Sequence, residues 1–188
     1  MDEFTVVLGS KSPRRQELIK ELGFDFEVRT KEVEENYPST LPLKEVAAYL
    51  ATLKASALIS TLNAGEILLT SDTVVLNENK ILGKPKNPAE AKNMLRSLSG
   101  GTHEVITGVH LQSLDKTHMF SVSTVVYFAP LTDVQIDFYI NKYKPFDKAG
   151  AYGIQEWIGY IGVEKIEGCY YNVMGLPVHE VYKQLMQF

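Results

Sequence analysis

The chain has one cysteine, Cys169, so no internal disulfide can form and a secreted scaffold built on disulfides is excluded. No uninterrupted apolar stretch approaches the roughly 18 residues a membrane-spanning helix needs. Charge of one sign is not in large excess. Nineteen Lys and Arg against 23 Asp and Glu leave a formal net charge of −4. Binding to a nucleic-acid polymer needs a broad basic surface, so that class gains no support. The acidic start, Met1-Asp2-Glu3, does not lead into a signal-peptide core, and a cytoplasmic protein is expected. Also absent are a Walker-type loop, the glycine pattern of dinucleotide folds, a zinc-ligand cluster and a serine-centred esterase elbow. There is no repeat or low-complexity segment, and His110, His118 and His179 lack a metal-binding spacing.

What is present is a chain of 188 residues, 45% apolar, enough for one compact α/β domain over 1–188 with two lobes. Phe4 to Leu8 reads as a first strand, followed by a Gly9-Ser10-Lys11-Ser12 loop. Pro13 suits the first turn of a helix, with Ser12 as its cap and Gly23 as its end. Phe24 to Arg29 reads as a strand, then an acidic loop, then a long helical pattern from Pro42 to Gly65. Glu66 to Thr70 reads as a buried strand broken at Ser71-Asp72-Thr73, with Val74 to Leu76 extended again. A helix over Pro88 to Leu98, two strands over Glu104 to Leu114 and Met119 to Phe128, a helix from Thr132 with Gln135 as its box partner, and a last helix over Leu176 to Leu185 complete the reading. Lys144 to Tyr160 is glycine- and aromatic-rich, and Ile161 to Ile166 reads as a strand or part of a strand–turn element. Adjacent strands in the middle of the chain predict a mixed sheet.

Several residues are unusual for a plain domain. Lys54 falls near the apolar face marked by Leu43, Val46, Leu50 and Ala57. It either snorkels to solvent or lies on a rim that offers its charge to an anion. Asp72 follows an apolar strand, as either a loop carboxylate or a ligand for magnesium or manganese beyond a strand end. Ser10, Ser12, Arg14 and Arg15 gather at a helix start, where amides, hydroxyls and guanidinium groups suit a phosphate chain. The same residues equally suit an ordinary capped helix. Lys84 sits in a tight Gly83-Lys84-Pro85 context, Glu32 in a loop that reads first as a solvated acidic face, and Gln155 at the end of a glycine-rich loop where its amide could read a nucleobase or equally satisfy the loop itself.

Taken together, Leu8-Gly9-Ser10-Lys11-Ser12-Pro13-Arg14-Arg15, Ser71-Asp72-Thr73, Gly83-Lys84-Pro85 and Asp147-Lys148-Ala149-Gly150-Ala151-Tyr152-Gly153-Ile154-Gln155 resemble the signature of the Maf family. The resemblance implies a nucleoside triphosphate pyrophosphatase related to house-cleaning enzymes. It implies an elongated mixed twisted sheet flanked by helices, two lobes around a central cleft, and a homodimer. By the same resemblance Asp72 is the proton acceptor and, with Glu32, holds a divalent metal, magnesium or manganese. Lys54 and Lys84 join this catalytic set, and Ser10, Ser12, Arg14, Arg15, Thr73 and Gln155 bind substrate. The loop ending at Gln155 resembles the branch acting on dTTP and UTP, with modified pyrimidine nucleotides as a further expectation. Gly9 stands where the family often has alanine, a change expected to be small. The other reading is a non-catalytic nucleotide-binding regulator of cell division.

Overall fold

A computed structural model describes residues 4–188; the acidic start at residues 1–3, read above against a signal peptide, lies outside the described residues. Among the described residues no helix is long and apolar enough to cross a membrane. The fold is α/β with a mixed sheet flanked by helices, and the chain divides into two compact units. Among the described residues, the first comprises those up to 72, 107–122 and 175–188, and the second 73–106 and 123–174.

The first unit is built around β1 (Thr5–Leu8), which pairs in parallel with β2 (Phe26–Val28) on one side and with β3 (Glu66–Asn77) on the other. A parallel strand covered on both faces needs apolar residues at every position, and Val6, Val7 and Leu8 are fully buried. Helix α1 (Pro13–Glu21) begins with Pro13, and Gly23 follows its end at φ 78°. Ser12 occupies the cap position but its side chain makes no capping bond. Helix α2 (Val46–Leu58) buries Val46, Ala47, Leu50, Ala51, Ala55 and Leu58. Its alanines let it lie close to β5 (Thr102–Gln112) at Gly108, where an added Cβ would meet the Ala47 and Ala48 backbone at 2.3–2.4 Å. Helix α7 (Val178–Leu185) closes this unit with Val181 and Leu185 buried.

In the second unit, β3 turns through Glu78 and Asn79, both at positive φ, into antiparallel β4 (Lys80–Leu82). Helix α3 (Pro88–Leu98) is capped by Asn87, which accepts from the Glu90 amide. Helix α4 (Asp133–Tyr143) carries the reciprocal Thr132–Gln135 capping box. Strand β6 (Thr117–Phe128) pairs antiparallel with β7 (Val163–Glu167) over its last residues. Leu95, Leu98, Phe128, Ile136, Tyr139 and Ile158 lie at the centre of the apolar cluster.

Two elements differ from the sequence expectation. Ser71-Asp72-Thr73 does not break its strand; β3 runs without interruption from Glu66 to Asn77, so Asp72 projects from mid-strand. Thr70 and Ser71 are fully buried, and ladder bonds on a central strand outweigh the weak turn preference of Ser and Asp. Two short helices, α5 (Trp157–Gly162) and α6 (Tyr170–Met174), lie in segments read as irregular or extended. The glycines of α5 look like breakers, yet Gly159 is needed for contact, because a Cβ there would fall 1.8 Å from the Ile154 carbonyl oxygen.

His103 is buried at 3% exposure, with its Nε2 2.7 Å from the Tyr152 hydroxyl and its ring edge-on to Phe128. Burial pushes its pKa down to about 4. An unfolded chain therefore binds a proton near pH 6.5 that the folded chain refuses until about pH 4. The stability this neutral ring permits is complete above pH 6.5 and is lost as the pH falls towards 4, by up to about 3 kcal/mol. Melting curves from pH 7 to pH 4 should show a steeper loss in the native chain than in His103→Gln. Equal slopes would assign the acid sensitivity elsewhere.

Candidate active site

Within the first unit, β3, α2 and the acidic loop before α2 bring three charged side chains to one point. Lys54 Nζ lies 2.7 Å from Asp72 Oδ1 and 2.9 Å from Glu35 Oε1. Side-chain exposure is 17% for Lys54 and 14% for Asp72, so water screens this pair weakly. Local geometry explains the meeting. Thr70 donates its hydroxyl to the Ala51 carbonyl at 2.7 Å, clamping β3 to α2. Asp72 lies two residues along the same strand face as Thr70, and Lys54 one helical turn beyond Ala51. The ammonium is thus held between two carboxylates instead of snorkelling to solvent.

The segment from Gly9 into α1 is tied down next to β1. Gly9 donates its amide to the Leu69 carbonyl at 2.8 Å. An added Cβ at Gly9 would come within 2.5 Å of Thr70 Cγ2, whose rotamer the bond to Ala51 holds. Alanine at this position would therefore require Thr70 to shift, a larger change than the resemblance implies. The buried Ser10 hydroxyl accepts from the Ser12 amide at 3.2 Å and from Arg15 Nη1 at 3.5 Å. Arg15 Nε donates to the Gly175 carbonyl at 2.8 Å. Burial lowers the Arg15 pKa from its ordinary value, Asp72 and Glu35 raise it and Arg14 lowers it. Both guanidinium groups and both carboxylates thus belong to one electrostatic neighbourhood. No acidic residue occupies the first turn of α1. Its amide dipoles and Arg14 therefore present positive potential suited to an anion.

The remaining sequence candidates are placed differently. Glu32 is 97% exposed and lies 3.9 Å from Lys11; the acid that reaches Lys54 is Glu35. Sequence reasoning missed this because Glu32, Glu34 and Glu35 share an irregular loop with no periodicity to rank them. Thr73, Lys84 and Gln155 belong to the second unit. Thr73 is half-buried and Lys84 exposed. The Gly150 amide bonds the Gly83 carbonyl at 3.1 Å, tying the segment before Gln155 to the one bearing Lys84. The Gln155 Oε1 is buried without a hydrogen-bond partner among the described residues. Such an acceptor is costly unless a donor arrives.

A family model described as Maf-like protein matches residues 5–188. The chain belongs to the Maf-like family. A Flavobacterium psychrophilum protein named dTTP/UTP pyrophosphatase is 52% identical over 181 residues, covering 96% of this chain and 93% of its own. A Phocaeicola vulgatus protein of the same name is 49% identical over 186 residues, covering 98% and 96%. Among solved structures, the Ham1 protein of Staphylococcus aureus matches with a TM-score of 0.57 over 97% of this chain and 98% of its own. At 18% identity that likeness is one of fold.

Proposed function

We propose that this chain is a nucleoside triphosphate pyrophosphatase acting on dTTP and UTP, releasing the monophosphate and pyrophosphate. The observation that carries the proposal is the Glu35–Lys54–Asp72 cluster beside a cationic helix start. The names of relatives about half identical to it supply the substrate class. Arg14, the α1 amides and Lys54 neutralise a triphosphate and favour the charge that develops on the leaving pyrophosphate. Asp72 orients the attacking water and accepts its proton. Ser10, Ser12 and Arg15 shape the loop that presents the α1 amides. Thr73, Lys84 and Gln155 are proposed substrate contacts.

Among the described residues no group of three or more His, Cys, Asp or Glu could hold a metal ion. Two carboxylates do converge on one cation-sized position, now filled by Lys54 Nζ. That set fits magnesium or manganese, which commonly take one or two carboxylates and complete their shell with water and substrate phosphates. We propose Asp72 and Glu35 as the metal-holding pair, in place of Asp72 and Glu32. A bound divalent ion would neutralise phosphate charge and make water more acidic.

Base choice is assigned to Gln155. A thymine or uracil edge offers an N–H between two carbonyls, which an amide can read with its acceptor and donor. A cytosine edge offers the reverse order, an acceptor at N3 beside an amino donor, so an amide held in the uracil-reading orientation meets acceptor with acceptor and donor with donor. The test is pyrophosphate release from dTTP, UTP, CTP, ATP and GTP, with magnesium, with manganese and with chelator. Turnover of dTTP and UTP well above the others is expected. Equal turnover of all five would remove the base reading, and binding without release from any would leave a nucleotide-binding regulator instead.

A further inference from the structure

The segment that carries Gln155 is held from beneath by a buried polar network that the proposed chemistry does not use. Tyr139, fully buried on α4, donates its hydroxyl to the Glu156 carboxylate and accepts the Gly153 amide at 3.0 Å. The second oxygen of Glu156 lies 3.1 Å from Lys148 Nζ, which also bonds Asp147 at 2.8 Å. Lys148 is 9% exposed at its side chain and Glu156 20%. The network fills the space a side chain at position 153 would need. A Cβ on Gly153 would fall 3.0 Å from the Glu156 carboxyl carbon and 3.1 Å from Lys148 Cε. The Glu156 amide also donates to the Gly153 carbonyl at 3.0 Å, closing a turn whose penultimate residue is Gln155. Residues from three places in the sequence thus fix both flanks of Gln155, whose buried amide oxygen has no hydrogen-bond partner among the described residues.

We propose that Tyr139, Glu156 and Lys148 are positioning residues for base selection, acting through Gln155. The proposal rests on the reading of Gln155 given above. An ion pair this enclosed is an inefficient way to gain stability, because both charges lose hydration. It is an effective way to allow one arrangement and exclude others, since any shift strands a charge or an amide. A contact that must tell one carbonyl-flanked N–H from another base needs tight orientation, and supporting residues supply it.

The experiment compares Tyr139→Phe, Glu156→Gln and Glu156→Ala with the native chain, measuring kcat and KM for UTP and CTP and the melting temperature of each. Tyr139→Phe and Glu156→Ala should raise the KM for UTP roughly tenfold and lower the UTP-over-CTP preference by a similar factor, with the loss falling on KM. Glu156→Gln keeps an acceptor for Tyr139 and should restore part of the preference. Gln155→Ala is the control. If it abolishes the preference while folded Tyr139→Phe and Glu156→Ala keep it, the positioning role is overturned and the base reading stands. If Gln155→Ala itself keeps the preference, the base reading fails and this proposal fails with it. If either network variant does not fold, the other decides together with Lys148→Met, which takes the cation away from Glu156: a native UTP-over-CTP ratio in the folded variants overturns the role.

Discussion

Asp72→Asn is expected to cut pyrophosphate release from UTP by about a thousandfold while leaving the chain folded, the scale of a lost general base. The substitution keeps the shape of the side chain and an oxygen that can still accept from Lys54, now 2.7 Å away. It removes the negative charge, and with it the proton acceptor and half of the proposed metal-holding pair. Three positive groups, Lys54, Arg14 and Arg15, then face one carboxylate fewer. Substrate binding should therefore weaken little or even tighten, and the loss should appear in kcat. That division separates chemistry from binding, because removal of a phosphate contact would raise KM instead. The measurement is kcat and KM for UTP, with circular dichroism to establish that β3 still forms. Turnover within tenfold of the native chain, in a folded variant, would end the assignment of Asp72 as the acceptor. Lys54→Met complements it: without the ammonium, Asp72 and Glu35 repel each other.

Signals closed within a few residues were legible before the structure. The Thr132–Gln135 capping box and the Pro88 helix start each depend on side chains and dihedrals of neighbouring positions, and each appears where the pattern puts it. Convergence over long separations was not legible. Periodicity placed Lys54 near an apolar face and left snorkelling and cleft-rim readings equally open. What decides between them is Asp72, 18 positions away, and Glu35 in a loop without period. The same limit misjudged β3, where three polar residues look like a strand end only until neighbours on both sides supply their hydrogen bonds. Glycine was the least readable residue. Gly159 resembles a breaker but permits a helix start, and Gly9 resembles a tolerant position but has no room for a methyl group.

Gly108→Ala is expected to destabilise the chain strongly, because the added methyl group would overlap backbone on a neighbouring element. The added Cβ would sit 2.3 Å from the Ala48 amide nitrogen, 2.4 Å from the Ala47 carbonyl carbon and 2.4 Å from Ala48 Cα. All three are backbone atoms inside α2, so no side-chain rotation relieves the overlap. Shrinking the neighbour to glycine at position 48 should not rescue it. The helix must retreat by about an ångström, in an interior packed to crystal-like density. Overpacking of that kind costs roughly 3–4 kcal/mol, and in a chain of this size it lowers the melting temperature by roughly 10 °C. Gly83→Ala is the control, since nothing lies within 4 Å of a Cβ there, and its melting temperature should be unchanged. The retreat also reaches the chemistry. Ala51, which accepts the Thr70 bond, and Lys54 are both on α2, so the spacing of Lys54 and Asp72 depends on the same contact. Folded Gly108→Ala at low temperature should therefore lose activity by about a hundredfold, the scale of an ångström's misplacement in an active site. A melting temperature within about 2 °C of the native chain would mean that α2 does not rest on β5 as closely as these distances state.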